Sequence, residues 1–242
     1  MLQNVVRRHI HSKQKKINGI GHPHMNKEIS FEMLDFTQAQ WIFEPKEHKV
    51  TKDRVVIRTM PETDFWQRTF YGFRNSNAPG LLFESRENVT FTVKVSFEYH
   101  HRFDKCGVII CLDGENWFKA SIEFENKHFS RLGSVVTNSG YSDWATTDIA
   151  LPSHIWYRLH RRGPDFLIES SLDGVAFKQM RIFHLHKLGE TTEAMGKANP
   201  PLPAKTPIKF GIYACSPLES SFVAEFSDMS IEPCKWMAHS AD

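Results

Sequence analysis

The segment VTFTVKVSF, residues 89–97, alternates without a break. Val89, Phe91, Val93, Val95 and Phe97 fall on one side, and Thr90, Thr92, Lys94 and Ser96 on the other. A period of two places one set on each face of a strand, so this is a strand with one buried face. From Phe31 onward a helical period of 3.6 is nowhere sustained. GVIICLD (107–113) is apolar on both faces, as a central strand is. RVVIRTM, SHIWYRLHRR, DFLIESSLD, FKQMRIFHL, IKFGIYACS and SFVAEFSDMSI supply further strands. The chain is therefore expected to be all-β, with residues 28–236 forming one domain and 237–242 a tail. Residues 187–207, rich in Pro, Gly and small polar residues, read as a long surface loop between two strands.

Charge divides the chain unevenly. Residues 1–27 carry Arg7, Arg8, Lys13, Lys15, Lys16 and Lys27 and no acid. Setting those six apart from the 30 lysines and arginines leaves 24 against 28 acids. The body is thus mildly acidic, which argues against a nucleic-acid surface. Residues 1–27 read as a disordered extension, with Met25 opening a sensible start, or as a mitochondrial-type presequence. His22 and His24 in this tail read as solvated. No apolar run reaches the roughly 20 residues of a membrane-spanning helix. Cys106, Cys111, Cys215 and Cys234 show no metal spacing. Cys106 and Cys111, five apart on one strand, point to opposite faces and read as free thiols. No cofactor motif is present.

The strand NWFKASIEFEN (116–126) carries the most chemistry. Phe118, Ala120, Ile122 and Phe124 form its core face, leaving Trp117, Lys119, Ser121, Glu123 and Glu125 opposite. An aromatic beside charged donors and acceptors is how a protein stacks on a sugar ring and fixes its hydroxyls. The plain alternative is cross-strand charge pairing on a solvated sheet. ETDFWQRTFYGF (62–73) joins Asp64, Trp66, Arg68, Tyr71 and Gly72 in one expected loop. YSDWATTDIAL (141–151) reads as a turn bordering the site, with Asp143 closing an Asx-type turn and Trp144 anchoring it. WYRLHRR sets Trp156, Arg158, His160 and Arg162 on one face, and Arg158 suits Asp64 or Asp143 as a bidentate partner. The expected ligand-binding residues are Asp64, Trp66, Trp117, Lys119, Glu123, Asp143, Trp144 and Arg158, converging on an aromatic-lined concavity. His160, His184 and His186 stand apart from any nucleophile. If the protein is a glycosidase, Glu123 with Asp143 or Glu125 is the acid–base pair. LDGENWFK and LDGVAFK each place Asp-Gly where a type I′ hairpin turn is expected.

Several of these segments occur together and in order: TDFWQRTFYGF, GENWFKASIEFE, SVVTNSGYSDW, WYRLHRRG, SSLDG and YACSP. The set resembles the regulation-of-enolase family, a concanavalin A-like domain family of unknown function, over about residues 30–232. The resemblance implies a two-sheet antiparallel, jelly-roll-like sandwich of the lectin and glucanase type. It also implies a cytoplasmic role in regulating enolase and carbohydrate metabolism, notably of galactose. Implied partners are a carbohydrate or sugar phosphate or, if the protein is an interaction module without a small-molecule site, a glycolytic enzyme such as enolase contacted through residues 187–207. The basic extension and the 187–207 segment depart from compact bacterial relatives. Related glucanases carry acids at three alternate strand positions. Aligned on SIEFE those positions are Ser121, Glu123 and Glu125, and the serine favours a binding or regulatory protein over a hydrolase.

Overall fold

The computed structural model describes residues 34–238. The basic extension over 1–27, with Met25, His22 and His24, lies outside the described residues. Sixteen strands are formed. The first six are β1 (Gln40–Ile42), β2 (Glu47–Val50), β3 (Val55–Arg58), β4 (Phe65–Gln67), β5 (Arg74–Ser76) and β6 (Gly80–Ser85). Five long strands follow: β7 (Val89–Glu98), β8 (Lys105–Asp113), β9 (Asn116–Phe124), β10 (Ser130–Asn138) and β11 (Tyr141–Ile149). The last five are β12 (His154–Arg162), β13 (Asp165–Ser171), β14 (Lys178–His184), β15 (Ile208–Cys215) and β16 (Val223–Pro233).

Fourteen of them build two antiparallel sheets of seven. The front sheet runs β1-β6-β15-β8-β9-β10-β11 and the back sheet β14-β13-β12-β7-β16-β3-β2. This is the all-β fold the alternation implied and the two-sheet sandwich the resemblance implied. Val93 and Val95 of β7, Tyr157 of β12, Ile110 of β8 and Phe118 of β9 meet between the sheets in a dry core. β8 lies between β15 and β9 at the centre of its sheet, which is why both its faces are apolar. Cys106 points into the main core and Cys111 to the other face.

The remaining two strands, β4 and β5, pair only with each other. This hairpin lies across the outer face of the front sheet. Phe65 and Trp66 from it close a second apolar cluster with Ile109, Trp117, Val135 and Tyr213. The front sheet is therefore buried on both faces around β9, where seven consecutive residues from Trp117 to Glu123 are buried.

Two local expectations are corrected. YSDWATTDIAL is not a turn: residues 141–149 are an edge strand in full register with β10. The turn lies just before it, at Ser139-Gly140, with φ of 51° and 74°. Positive φ at both central residues of a two-residue loop is the type I′ hairpin. Among the Asp-Gly pairs, Gly174 has φ of 73° and Gly114 has no positive φ. Asp113 and Asp173 instead act through their carboxylates, Asp113 accepting from Glu115 N–H and Asp173 from Val175 and Ala176 N–H.

Residues 187–207 contain the one-turn helix α1 (Glu193–Lys197). Two buried arginines hold this segment. Arg161 donates to Thr206 O and Ser85 O, and Arg162 to the carbonyls of Met195, Gly196 and Ala198. Neighbouring residues of one strand point to opposite faces, so the pair fastens the segment at two separate places.

Candidate functional site

Antiparallel partners directly opposite each other share a face, so the register fixes what the outer front face carries. One row across the sheet reads Lys105–Glu123–Arg131–Asp148, and the next reads Gly107–Ser121–Gly133–Thr146. The first alternates in charge and the second is made of small side chains. Beyond them lie Lys119, Val135 and Trp144. Where the β4–β5 hairpin does not reach, the small row leaves a cavity of about 390 Å³. Its floor is Ser121, Gly133 and the charged tips of Lys105, Lys119 and Glu123, and its walls are Trp66, Tyr71, Phe73 and Trp144. Phe103 and Leu218 close the rim from two other loops.

Gly133 is required here. A Cβ at that position would lie 2.9 Å from Trp144 Nε1, so only glycine lets the indole lie down on the sheet. Trp144 meets Trp66 edge-on at 6.5 Å, and Trp66 meets Tyr71 at 5.5 Å. Both are favourable edge-to-face arrangements.

Four charges sit at the floor and all are buried: Asp64, Lys105, Lys119 and Glu123. Lys119 Nζ donates to Asp64 Oδ1 at 2.8 Å and to Phe65 O at 2.6 Å. Lys105 Nζ lies 2.8 Å from Glu123 Oε2 and 3.4 Å from Asp64 Oδ1. Burial alone would raise the Asp64 pKa, but the two ammonium groups, with hydrogen bonds from Lys119 and Phe65 N–H, hold it at about 2. Lys105 is pushed well above its ordinary value; burial opposes its charge, and Asp64 and Glu123 outweigh burial. The Cys215 thiol, 3.8 Å from Asp64 Oδ1, is pushed up by burial and by that carboxylate, so it stays protonated.

Of the eight expected ligand-binding residues, Asp64, Trp66, Lys119, Glu123 and Trp144 line this one cavity. The other three do not. Trp117 is fully buried beneath Phe65, with ring centroids 5.6 Å apart, because the hairpin roofs its face. It is a core residue and cannot stack on a ligand. Asp143 faces the opposite way from Trp144, as alternation demands, and pairs with Arg181 at 2.8 Å. Arg158 belongs to the back sheet, where it lies 3.5 Å from the Phe177 ring centre and pairs with Glu169. Neither Asp64 nor Asp143 therefore has Arg158 as a partner. Glu125, beyond the end of β9, is held by Arg102 and Arg131.

Residues 62–73 are likewise not one loop. Phe65–Gln67 is strand, and only 68–73 forms the hairpin tip. Lys105, Phe73, Phe103, Gly133 and Leu218 were not singled out from sequence. The signal for Lys105 was its place opposite Glu123 across the Asp113–Asn116 hairpin, and a register shift between Cys111 and Asp113 obscures it.

His160, expected to be a strand histidine apart from any nucleophile, lies in β12 and is bonded to Thr90 and Glu169. Among the described residues no group of three or more His, Cys, Asp or Glu side chains is placed to hold a metal ion.

A family model described as "Protein of unknown function (DUF1349)" matches residues 41–234, a span that includes every residue lining the cavity. The chain belongs to the DUF1349 family. Among curated proteins it is similar to Regulation of enolase protein 1 of Saccharomyces cerevisiae, 28% identical over 198 residues, covering 81% of this chain and 90% of the relative. A crystal structure of a functionally unknown Saccharomyces cerevisiae protein superposes with a TM-score of 0.70 at 27% identity, over 82% of this chain and 98% of that one. A GH43 protein from Bacillus licheniformis superposes with a TM-score of 0.59 at 14% identity, over 85% of this chain and 39% of that protein. At that identity the likeness concerns the sandwich fold alone.

Proposed function

We propose that this DUF1349 protein is a non-catalytic binding and regulatory protein whose front-sheet cavity takes a saccharide. The observation that carries the reading is one cavity joining aromatic walls, Trp66, Tyr71 and Trp144, to a floor of buried hydrogen-bonding groups. A pyranose ring has apolar C–H faces that lie against aromatic rings and a rim of hydroxyls that need polar partners. The similarity to a protein named for regulation of enolase supports a regulatory role in carbohydrate metabolism.

The floor also supports the non-catalytic part. Glycoside hydrolysis needs one carboxyl kept protonated as the acid. Asp64 is held ionised by two lysines, and Glu123 is tied to Lys105. The pairs Glu123 with Asp143 or Glu125 do not share the cavity. Thermal unfolding across mono- and oligosaccharides tests the reading. A ligand at 100 times its Kd adds about 2.7 kcal/mol, a rise of roughly 5–10 °C for a chain of this size. A flat response to every saccharide would refute it.

A second reading, contact with a partner such as a glycolytic enzyme, is favoured by the hairpin tip. Phe70 is 93% exposed there, while Arg68, Phe70 and Gly72 all have positive φ. Arg68 fixes the tip by donating to Gly140 O at 2.7 Å. Strained backbone that presents a bare aromatic ring is a feature of recognition sites. If enolase is the partner, Phe70→Ala should abolish its co-purification and leave the fold intact; retained enolase would remove this reading.

A further inference from the structure

We infer that the front-sheet cavity selects uncharged, hydroxyl-rich ligands and excludes phosphate esters, because its lysines are already ion-paired with carboxylates and two carboxylate oxygens are left open on its floor. This rests on the saccharide reading above and adds the charge class of the ligand.

Two lysines on a cavity floor suggest an anion site at first sight. Their bonding says otherwise. An ammonium has three N–H donors. Lys119 uses two, on Asp64 Oδ1 and Phe65 O, and Lys105 uses two, on Glu123 Oε2 and Asp64 Oδ1. Asp64 Oδ1 also accepts from Phe65 N at 2.8 Å, so that oxygen is fully engaged. Asp64 Oδ2 and Glu123 Oε1 have no hydrogen-bond partner among the described residues. The formal charges of the four side chains cancel. Arg131, whose guanidinium lies 5.7 Å from the Trp144 ring centre, is ion-paired with Glu125 at 3.4 Å. Among the described residues the only cations lining the cavity are Lys105 and Lys119, and both are ion-paired.

A phosphate monoester carries a charge of about −1.5 to −2 at neutral pH and its oxygens mainly accept. Placed on this floor it would meet two carboxylate oxygens of like charge. Drawing Lys105 or Lys119 away would leave a buried carboxylate unpaired, which is strongly unfavourable. A hydroxyl fits where the phosphate does not. It donates to Glu123 Oε1 or Asp64 Oδ2, and its own oxygen accepts from Ser121 or from the third N–H of a lysine. Sites built for phosphate instead offer free guanidinium forks or backbone N–H groups.

The test is isothermal titration of the full chain with three kinds of ligand: free aldohexoses, their 6-phosphates and their 6-O-methyl ethers. The expected result is that the free sugar and the neutral ether bind alike, and the 6-phosphate at least about tenfold more weakly. Glu123→Gln, which makes the floor net positive, should narrow or invert that preference. Equal or tighter binding of the 6-phosphate by the native chain would overturn the inference and leave the saccharide reading standing. Loss of the neutral ether together with the phosphate would mean that size, not charge, selects, and would overturn it equally. If no saccharide of any kind binds, the saccharide reading itself falls. The first three arms use the native protein, so they do not depend on the variant folding.

Discussion

The two outer faces of the sandwich are built from the same kinds of side chain and put them to different use. On the front sheet, β9 presents Trp117, Lys119, Ser121 and Glu123. On the back sheet, β12 presents Trp156, Arg158 and His160, opposite Lys94, Thr92 and Thr90. Each set joins a tryptophan to cations, and each has carboxylates beside it. On the back sheet Lys94 lies 4.9 Å from the Trp156 ring centre, and Arg158 pairs with Glu169 at 3.7 Å; both cations are partly open to water. On the front sheet the β4–β5 hairpin covers the row, and the same vocabulary becomes a buried quartet beside a cavity. Residue type does not separate a solvated face from a site here. A roof does.

The comparison predicts its largest contrast in single-cation removals. Lys119→Met keeps the apolar stem, removes the shorter of the two lysine contacts on Asp64 and leaves the buried quartet one cation short, and should cost about 3–5 kcal/mol, the usual penalty for breaking a buried ion pair. Arg158→Ala on the open face should cost under about 1 kcal/mol. Urea unfolding of both variants measures the gap, and equal losses would erase the distinction.

Acid titration should separate the faces by pH. The folded pKa of Asp64 lies below its unfolded value, so its contribution is complete above the unfolded value of 3.8 and is lost as pH falls towards 2. That contribution is about 2 kcal/mol at neutral pH. His160 on the back sheet is also lowered, by burial, from 6.5; its stabilisation is complete above 6.5 and declines as pH falls below that value. Stability should therefore fall in two steps. Because Asp113 and Asp173 are lowered as well, the informative measurement is the difference between native and Asp64→Asn. An unchanged acid limb in Asp64→Asn would contradict the quartet.

A smaller effect is expected from Gly133→Ala. The added methyl displaces the Trp144 indole at a cost of about 1 kcal/mol, near the low end for overpacking, and should weaken saccharide binding by more than it weakens the fold. Phe70→Ala should change stability by no more than about 0.5 kcal/mol, since the ring is bare. A large loss there would mean that the tip is structural.

Alternation made the strands legible. Val89 to Phe97 and the β9 core face of Phe118, Ala120 and Ile122 are oriented as the period requires. Alternation also groups residues by face, which is why Lys119 and Glu123 fell together. It cannot tell which sheet a strand joins, and Arg158 was lost on that point, because β9 and β12 enter different sheets by long-range pairing. Nor can it tell what covers a face. Trp117 read as a platform because the roof comes from β4 and β5, some fifty residues earlier. Asp143 and Trp144 are adjacent in sequence, and reading them as a turn joined them at one site; as strand residues they face opposite ways. Lys105 was hidden by one irregularity. Counting back from Asp113 opposite Asn116 places it across from Phe124, and the shift at Cys111 restores Glu123.

The most direct test uses the chain's own tryptophans as reporters. In an NMR titration with the saccharides of the binding panel, the indole N–H signals of Trp66 and Trp144 mark the front cavity and that of Trp156 marks the open back face. A front-face site predicts that Trp66 and Trp144 move together and saturate while Trp156 stays fixed. Movement confined to Trp156, or no movement of any indole with any saccharide, would contradict it.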